Sequence, residues 1–121
     1  MVIEINGKSV KFGYGLYFLG KAQKEHNTDL NGLLQSLVKN PIADMVDLMY
    51  FSAKCEAELD EVKLPITKRE FLEFLENTGD FKKTDGLLAQ WSNGLVESVK
   101  GYFLENDAEE TNDKEIDVKK N

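Results

Sequence analysis

Apolar positions along this chain recur with two different periods. Residues 1–5 and 8–12 are short β-rich runs; Val10 and Phe12 share one face of the second, while Val2, Ile3 and Ile5 alternate more weakly in the first. Between them Asn6-Gly7 supplies the positive φ angles of a two-residue type I′ turn, so the pattern predicts an N-terminal β-hairpin. A lone two-stranded hairpin is marginal in water, and its apolar side must lie on helices or be completed by strands of another subunit. After Gly13-Tyr14-Gly15 the period lengthens. Leu16, Leu19 and Ala22, with Tyr17 and Phe18 beside them, predict a helix to about His26. Thr28 or Asp29 is a good N-cap for a second helix striped by Leu30, Leu33, Leu34, Leu37 and Val38, which ends at Asn40-Pro41.

Residues 42–59 carry two stripes at helical spacing. Ile42, Met45, Val46, Met49 and Ala53 form one; Leu48, Phe51, Cys55 and Leu59 form the other. A helix apolar on two sides needs two packing partners: either it is central to the domain, or one side meets another chain. Thr67 and Glu70 have the spacing of a capping box, opening a helix with Phe71, Leu72, Phe74 and Leu75 that Asn77-Thr78-Gly79 closes. A polar link follows, anchored by Phe81. From Asp85, the positions Leu88, Trp91, Leu95, Val99 and Tyr102 form a seam for a long last helix. Gly94 and Gly101 each weaken it by about 1 kcal/mol relative to alanine, which suggests close backbone approach or simple tolerance. Residues 106–121 hold six acids and only three apolar side chains, too few to offset the entropy of ordering them. The expected architecture is α+β and mainly α. A hairpin and about five helices form one domain over 1–105, followed by a disordered acidic tail over 106–121.

Composition narrows the function. Of the 121 residues 41% are apolar, roughly 50 side chains, enough for one core and hardly for two. The net charge of −7 disfavours a broad phosphate-gripping surface, so nucleic acid is not the expected partner. The longest uncharged apolar stretch, 12–20, is short of the roughly 20 residues that cross a bilayer, and no signal peptide opens the chain. A soluble protein that stays where it is made is expected.

Candidate chemistry is sparse. His26 is the only histidine, with no partner at metal-ligand spacing. Cys55, the only cysteine, falls on an apolar stripe where a buried thiol is ordinary. Asp44 with Asp47, and Glu56, Glu58, Asp60 and Glu61, lack an EF-hand pattern. Gly13-Tyr14-Gly15 has neither dinucleotide nor phosphate-loop spacing. No catalytic residue, cofactor or metal is therefore expected. Aromatic and flexible apolar residues are plentiful by contrast. Tyr14, Tyr17, Phe18, Met45, Met49, Tyr50, Phe51, Phe74, Trp91, Tyr102 and Phe103 are either core or anchors for a partner.

The opening Met1-Val2-Ile3-Glu4-Ile5-Asn6-Gly7-Lys8, the following Val10-Lys11-Phe12-Gly13-Tyr14-Gly15 running into Leu16-Tyr17-Phe18-Leu19, the helical body and the acidic tail resemble the tail assembly chaperones of long-tailed bacteriophages of Gram-positive bacteria. Specific residues carry this resemblance over roughly the first 20 positions. It implies a non-enzymatic protein of the host cytoplasm, missing from the mature virion. Such a protein binds and solubilises the tape-measure protein, helps recruit tail-tube subunits, self-associates into rings or spirals and has a longer frameshifted form. Helix-in-groove binding suits such a client. On the two-sided helix, Met45, Met49 and Tyr50 are the expected protein-interaction residues, for the client or for subunit contacts, and the hairpin edge is a second place for neighbours to join. The competing readings are a tail-completion or connector protein retained in the virion and, more distantly, an antitoxin-like regulator that masks a basic partner with its acidic tail.

Overall fold

The hairpin comes first, and its turn is of the expected kind: Asn6 and Gly7 both have positive φ, 54° and 75°. The computed structural model describes residues 1–79 and 83–113, with side chains as far as Gly101. Strand β1 (Val2–Ile5) pairs antiparallel with β2 (Lys8–Lys11), Ile3 opposite Val10 and Ile5 opposite Lys8. Reciprocal bonds between Met1 and Phe12 extend the pairing by one step. This register puts Ile5, Val10 and Phe12 on the inner face, all buried, and leaves Val2 exposed.

Among the described residues five α-helices follow, so the fold is α+β and mainly α: α1 (Leu16–Glu25), α2 (Leu30–Lys39), α3 (Val46–Leu59), α4 (Lys68–Thr78) and α5 (Leu87–Asp113). Asp29 caps α2 by accepting from the Gly32 N–H at 2.8 Å. Thr67 and Glu70 form both bonds of the capping box on α4, an arrangement whose cap side chain contributes about 1 kcal/mol. Gly79 closes that helix in the left-handed conformation. The helical backbone of α5 includes residues 106–113 of the expected tail, a stretch with the helix formers Ala108, Glu109 and Glu110. Residues 114–121 and the link anchor Phe81 lie outside the described residues, as do the side chains of Tyr102 and Phe103.

One expectation is corrected between α2 and α3. Residues 41–45 form a π-helical turn, Pro41–Met45, instead of the first turn of an α-helix. Asn40 leaves helical geometry (φ −131°, ψ 67°), and Pro41 contributes no N–H and sits at the start, where none is needed. The Ser36 hydroxyl donates to the Asp44 carboxylate at 2.6 Å and ties the turn back to α2.

Helix α3 is the central element. Val46, Met49 and Ala53 of one predicted stripe and Leu48 and Cys55 of the other are buried, as are Ser52 and Ala57 outside both, and the helix packs on α1, β2 and α5. Its two apolar sides are thus both used inside one chain. The buried side chains make a single cluster running from the hairpin to α5, with Trp91, Phe12, Phe18 and Phe71 the largest. The hairpin is held to α4 by the Phe12–Phe71 ring contact at 5.7 Å and by Asn6 donating to Glu70 at 3.2 Å, and to the loop before α4 by Lys8 donating to the Pro65 carbonyl at 3.1 Å.

Two helical glycines separate tolerance from close approach. A Cβ at Gly20, exposed on α1, meets nothing within 4 Å, whereas one at Gly94 would overlap the Tyr14 hydroxyl and lie 2.7 Å from Cζ of the same ring. Gly20→Ala is therefore expected to stabilise by about 0.5–1 kcal/mol through helix propensity. Gly94→Ala should lose about 1–2 kcal/mol, overcrowding outweighing the same gain. Thermal unfolding of the two variants checks both signs.

Candidate interaction surface

The π-helical turn sets the surface that most resembles a docking site. Because Pro41 starts it and Ser36 anchors Asp44, its intervening residues Ile42 and Ala43 face outward, Ile42 with 67% of its surface exposed. Opposite stands one face of α4, where Lys68, Leu72, Leu75 and Glu76 follow at helical spacing. Between them lies an open groove of about 400 Å³ whose apolar residues are Ile42, Ala43, Val46, Leu72 and Leu75. Val46 and Leu75 form the buried floor, and Leu72 is 38% exposed on the wall. Lys68 and Asp47 bridge the two sides with an ion pair at 2.7 Å. Half-exposed at both ends, that pair fixes spacing more than it stabilises the fold.

The three expected interaction residues are distributed differently. Met49 has no exposed surface and belongs to the core, so it presents nothing to a partner; this corrects the expectation. The reason is geometric: with α3 surrounded, the stripe containing Met49 faces inward as fully as the other. Met45 and Tyr50 are partly buried and pack against the same cluster. The Tyr50 ring lies 5.8 Å from Phe71 and its hydroxyl points to the Ile66 carbonyl. Most of the aromatic surplus is likewise absorbed, with Phe18 and Trp91 buried and Tyr14, Phe51 and Phe74 packed against the core.

The groove residues were only partly visible in sequence. Ile42 appears as a member of a helix stripe, yet it follows Asn40-Pro41, the break that swings it outward. Leu72 is the apolar residue of α4 off its buried Phe71–Leu75 line, flanked at four-residue intervals by Lys68 and Glu76. An isolated apolar residue between charges on a helix is a weak signal, because single exposed leucines are ordinary.

Ionisable groups elsewhere form surface networks. Tyr17 donates to Glu58 at 2.6 Å while Lys21 bridges both at 3.2 and 3.0 Å. The Tyr17 hydroxyl and the Lys21 ammonium hold the Glu58 carboxyl below the usual carboxylate range. Glu70 is lowered too, by the Thr67 N–H and the Asn6 amide. Burial pushes the Cys55 thiol up to about 11, leaving it an inert packing group. A thiol reagent at pH 8 should accordingly label native Cys55 at least about tenfold more slowly than the unfolded chain, measured by absorbance of the released thiolate. Among the described residues, no three His, Cys, Asp or Glu side chains gather as a metal site, and no helix is long and apolar enough to cross a membrane. The chain matches no family model, no curated protein and no solved structure.

Proposed function

We propose that this protein is a phage tail assembly chaperone, a non-catalytic partner that binds and solubilises the tape-measure protein and helps recruit tail-tube subunits. It works in the host cytoplasm, associates with copies of itself and leaves the finished virion. The observation that carries this reading is the open apolar groove between the Pro41–Met45 turn and α4. A groove with an aliphatic floor, whose ionisable side chains are the mutually paired Lys68 and Asp47 and the flanking Glu76, suits the apolar stripe of a client helix better than the chemistry of a small substrate. The hairpin sequence and its glycine step into α1, already noted as resembling such chaperones, supply the more specific support.

Co-expression with a tape-measure protein tests the reading. The parent chain is expected to bring the client into the soluble fraction. Ile42→Glu combined with Leu72→Glu should remove most of that effect while leaving the circular dichroism spectrum unchanged, since both side chains are exposed. Each lost apolar contact is worth about 1.5–3 kcal/mol when fully buried, so affinity should fall at least about tenfold. A client equally insoluble with and without the parent chain would end the proposal.

A further inference from the structure

The apolar groove opens onto a surface of different chemistry. Asp47 and Lys68, the ion pair that bridges it, also border the next cleft, together with Phe51 and Lys54. Although the chain has a net charge of −7, three clefts that share Lys54 are lined by six lysines against four carboxylates. Lys8, Lys21 and Lys68 have ion-pair partners in Glu70, Glu58 and Asp47. Lys24, Lys54 and Lys63 are exposed and have no ion pair among the described residues. Lys54 on α3 links the other two, sharing one cleft with Lys24 of α1 and another with Lys63 of the loop before α4. At the far end of the groove stands Glu76, eight residues along α4 from Lys68 and likewise without an ion pair among the described residues.

We infer that the segment held by the groove is acidic at one end, and that its carboxylates reach past the Lys68–Asp47 pair to Lys54, Lys24 and Lys63. The inference rests on the groove being the docking site proposed above, and it adds the charge and direction of the partner. Length is the first reason. From Lys68 to Glu76 the α4 wall runs about 12 Å, whereas a helix of about 20 residues is about 30 Å long, so a client helix overruns the groove. Charge decides which end overruns where. Carboxylates are repelled at the Glu76 end and attracted at the Lys68 end, where three ammonium groups lack partners of their own. A peptide fits these clefts better than a nucleic acid. Glu25, Glu58 and Glu70 stand among the lysines and would repel an unbroken row of phosphates, while separate carboxylates can each meet one free ammonium. Partly buried Tyr50 and Phe51 line the same clefts and offer apolar contact between the charges.

Fluorescence anisotropy of the full chain with labelled peptides provides the test. The probe is a leucine-striped amphipathic helix of about 20 residues with a run of glutamates, placed before the stripe in one version and after it in another. Matched peptides carry glutamine in place of the glutamates. One glutamate version is expected to bind at least about tenfold tighter than its glutamine match at about 0.01 M salt, since three exposed pairs of about twofold to threefold each compound to that ratio. The advantage should vanish at about 1 M salt, where the Debye length is about 3 Å. Lys54→Glu with Lys63→Glu should bring the two peptides within about twofold of each other, and Ile42→Glu with Leu72→Glu should weaken both. Equal affinities for glutamate and glutamine peptides, no binding of any peptide, or an advantage that survives the lysine reversal would each overturn the inference. So would a labelled oligothymidine that binds the parent more tightly than the acidic peptides. A tape-measure protein left insoluble beside a chain that shows the glutamate preference removes that client and keeps the groove with its acidic partner. A solubilised client with no such preference removes this inference alone.

Discussion

Lysine in place of Met49 should abolish cooperative folding at neutral pH. Met49 is fully enclosed on the central helix, so an ammonium group there would have to be buried charged or lose its proton. Burial that pulls a lysine down by 3–5 pH units costs about 4–7 kcal/mol, comparable to the whole stability of a small domain, about 5–15 kcal/mol. Met45→Lys should cost far less, because Met45 is only partly buried and its longer replacement can lead its charge to water. Urea denaturation followed by circular dichroism separates the two. A Met49→Lys chain that keeps a parent-like midpoint would show that this side chain is not interior. The same experiment distinguishes core from docking surface, since Ile42→Lys, at an exposed position, should leave the midpoint within about 0.5 kcal/mol of the parent.

Trp91→Ala should be nearly as damaging, with a loss of about 3–5 kcal/mol. The indole is the largest fully buried side chain, 5.8 Å from the Tyr14 ring and 6.1 Å from Phe18, and it holds α5 to the segment that opens α1. Its Nε1–H finds no acceptor among the described residues. An unmade buried hydrogen bond costs about 1–3 kcal/mol, and both Trp91→Ala and Trp91→Phe remove that penalty, but only phenylalanine keeps most of the ring volume. Trp91→Phe is therefore expected to lose at least about 2 kcal/mol less than Trp91→Ala, read from the shift in denaturation midpoint. Equal losses in the two variants would mean that a phenyl ring at this position contributes no stability over alanine.

Short-range signals were read from sequence most completely. Asn6-Gly7, the Asp29 cap, the Thr67–Glu70 box and Gly79 each act within a few residues, and each is where the local pattern put it. Side-chain facing was less legible. Two apolar stripes say that α3 has two neighbours, but whether a neighbour belongs to the same chain depends on how β2, α1 and α5 close around it. That closure hides Met49 and leaves aliphatic residues such as Ile42 outside instead. The π-helical turn also escapes periodicity, because one widened turn after a proline shifts the register without altering which residues are apolar. Lys8, Lys21, Lys24, Lys63 and Lys68 border the clefts around Lys54 from β2, α1, the loop before α4 and α4, so no window of sequence contains that grouping.

The bond between Asn6 and Glu70 has a consequence for the newborn chain. The hairpin leaves the ribosome ahead of the helices it packs on, and Phe71, against which Phe12 rests, is translated 59 residues after Phe12. At elongation rates of about 5–20 residues per second, that is a wait of about 3–12 s before the ring that covers the hairpin's inner face exists. Until that ring arrives, Ile5, Val10 and Phe12 are an apolar face without the α4 cover that buries it in the finished fold.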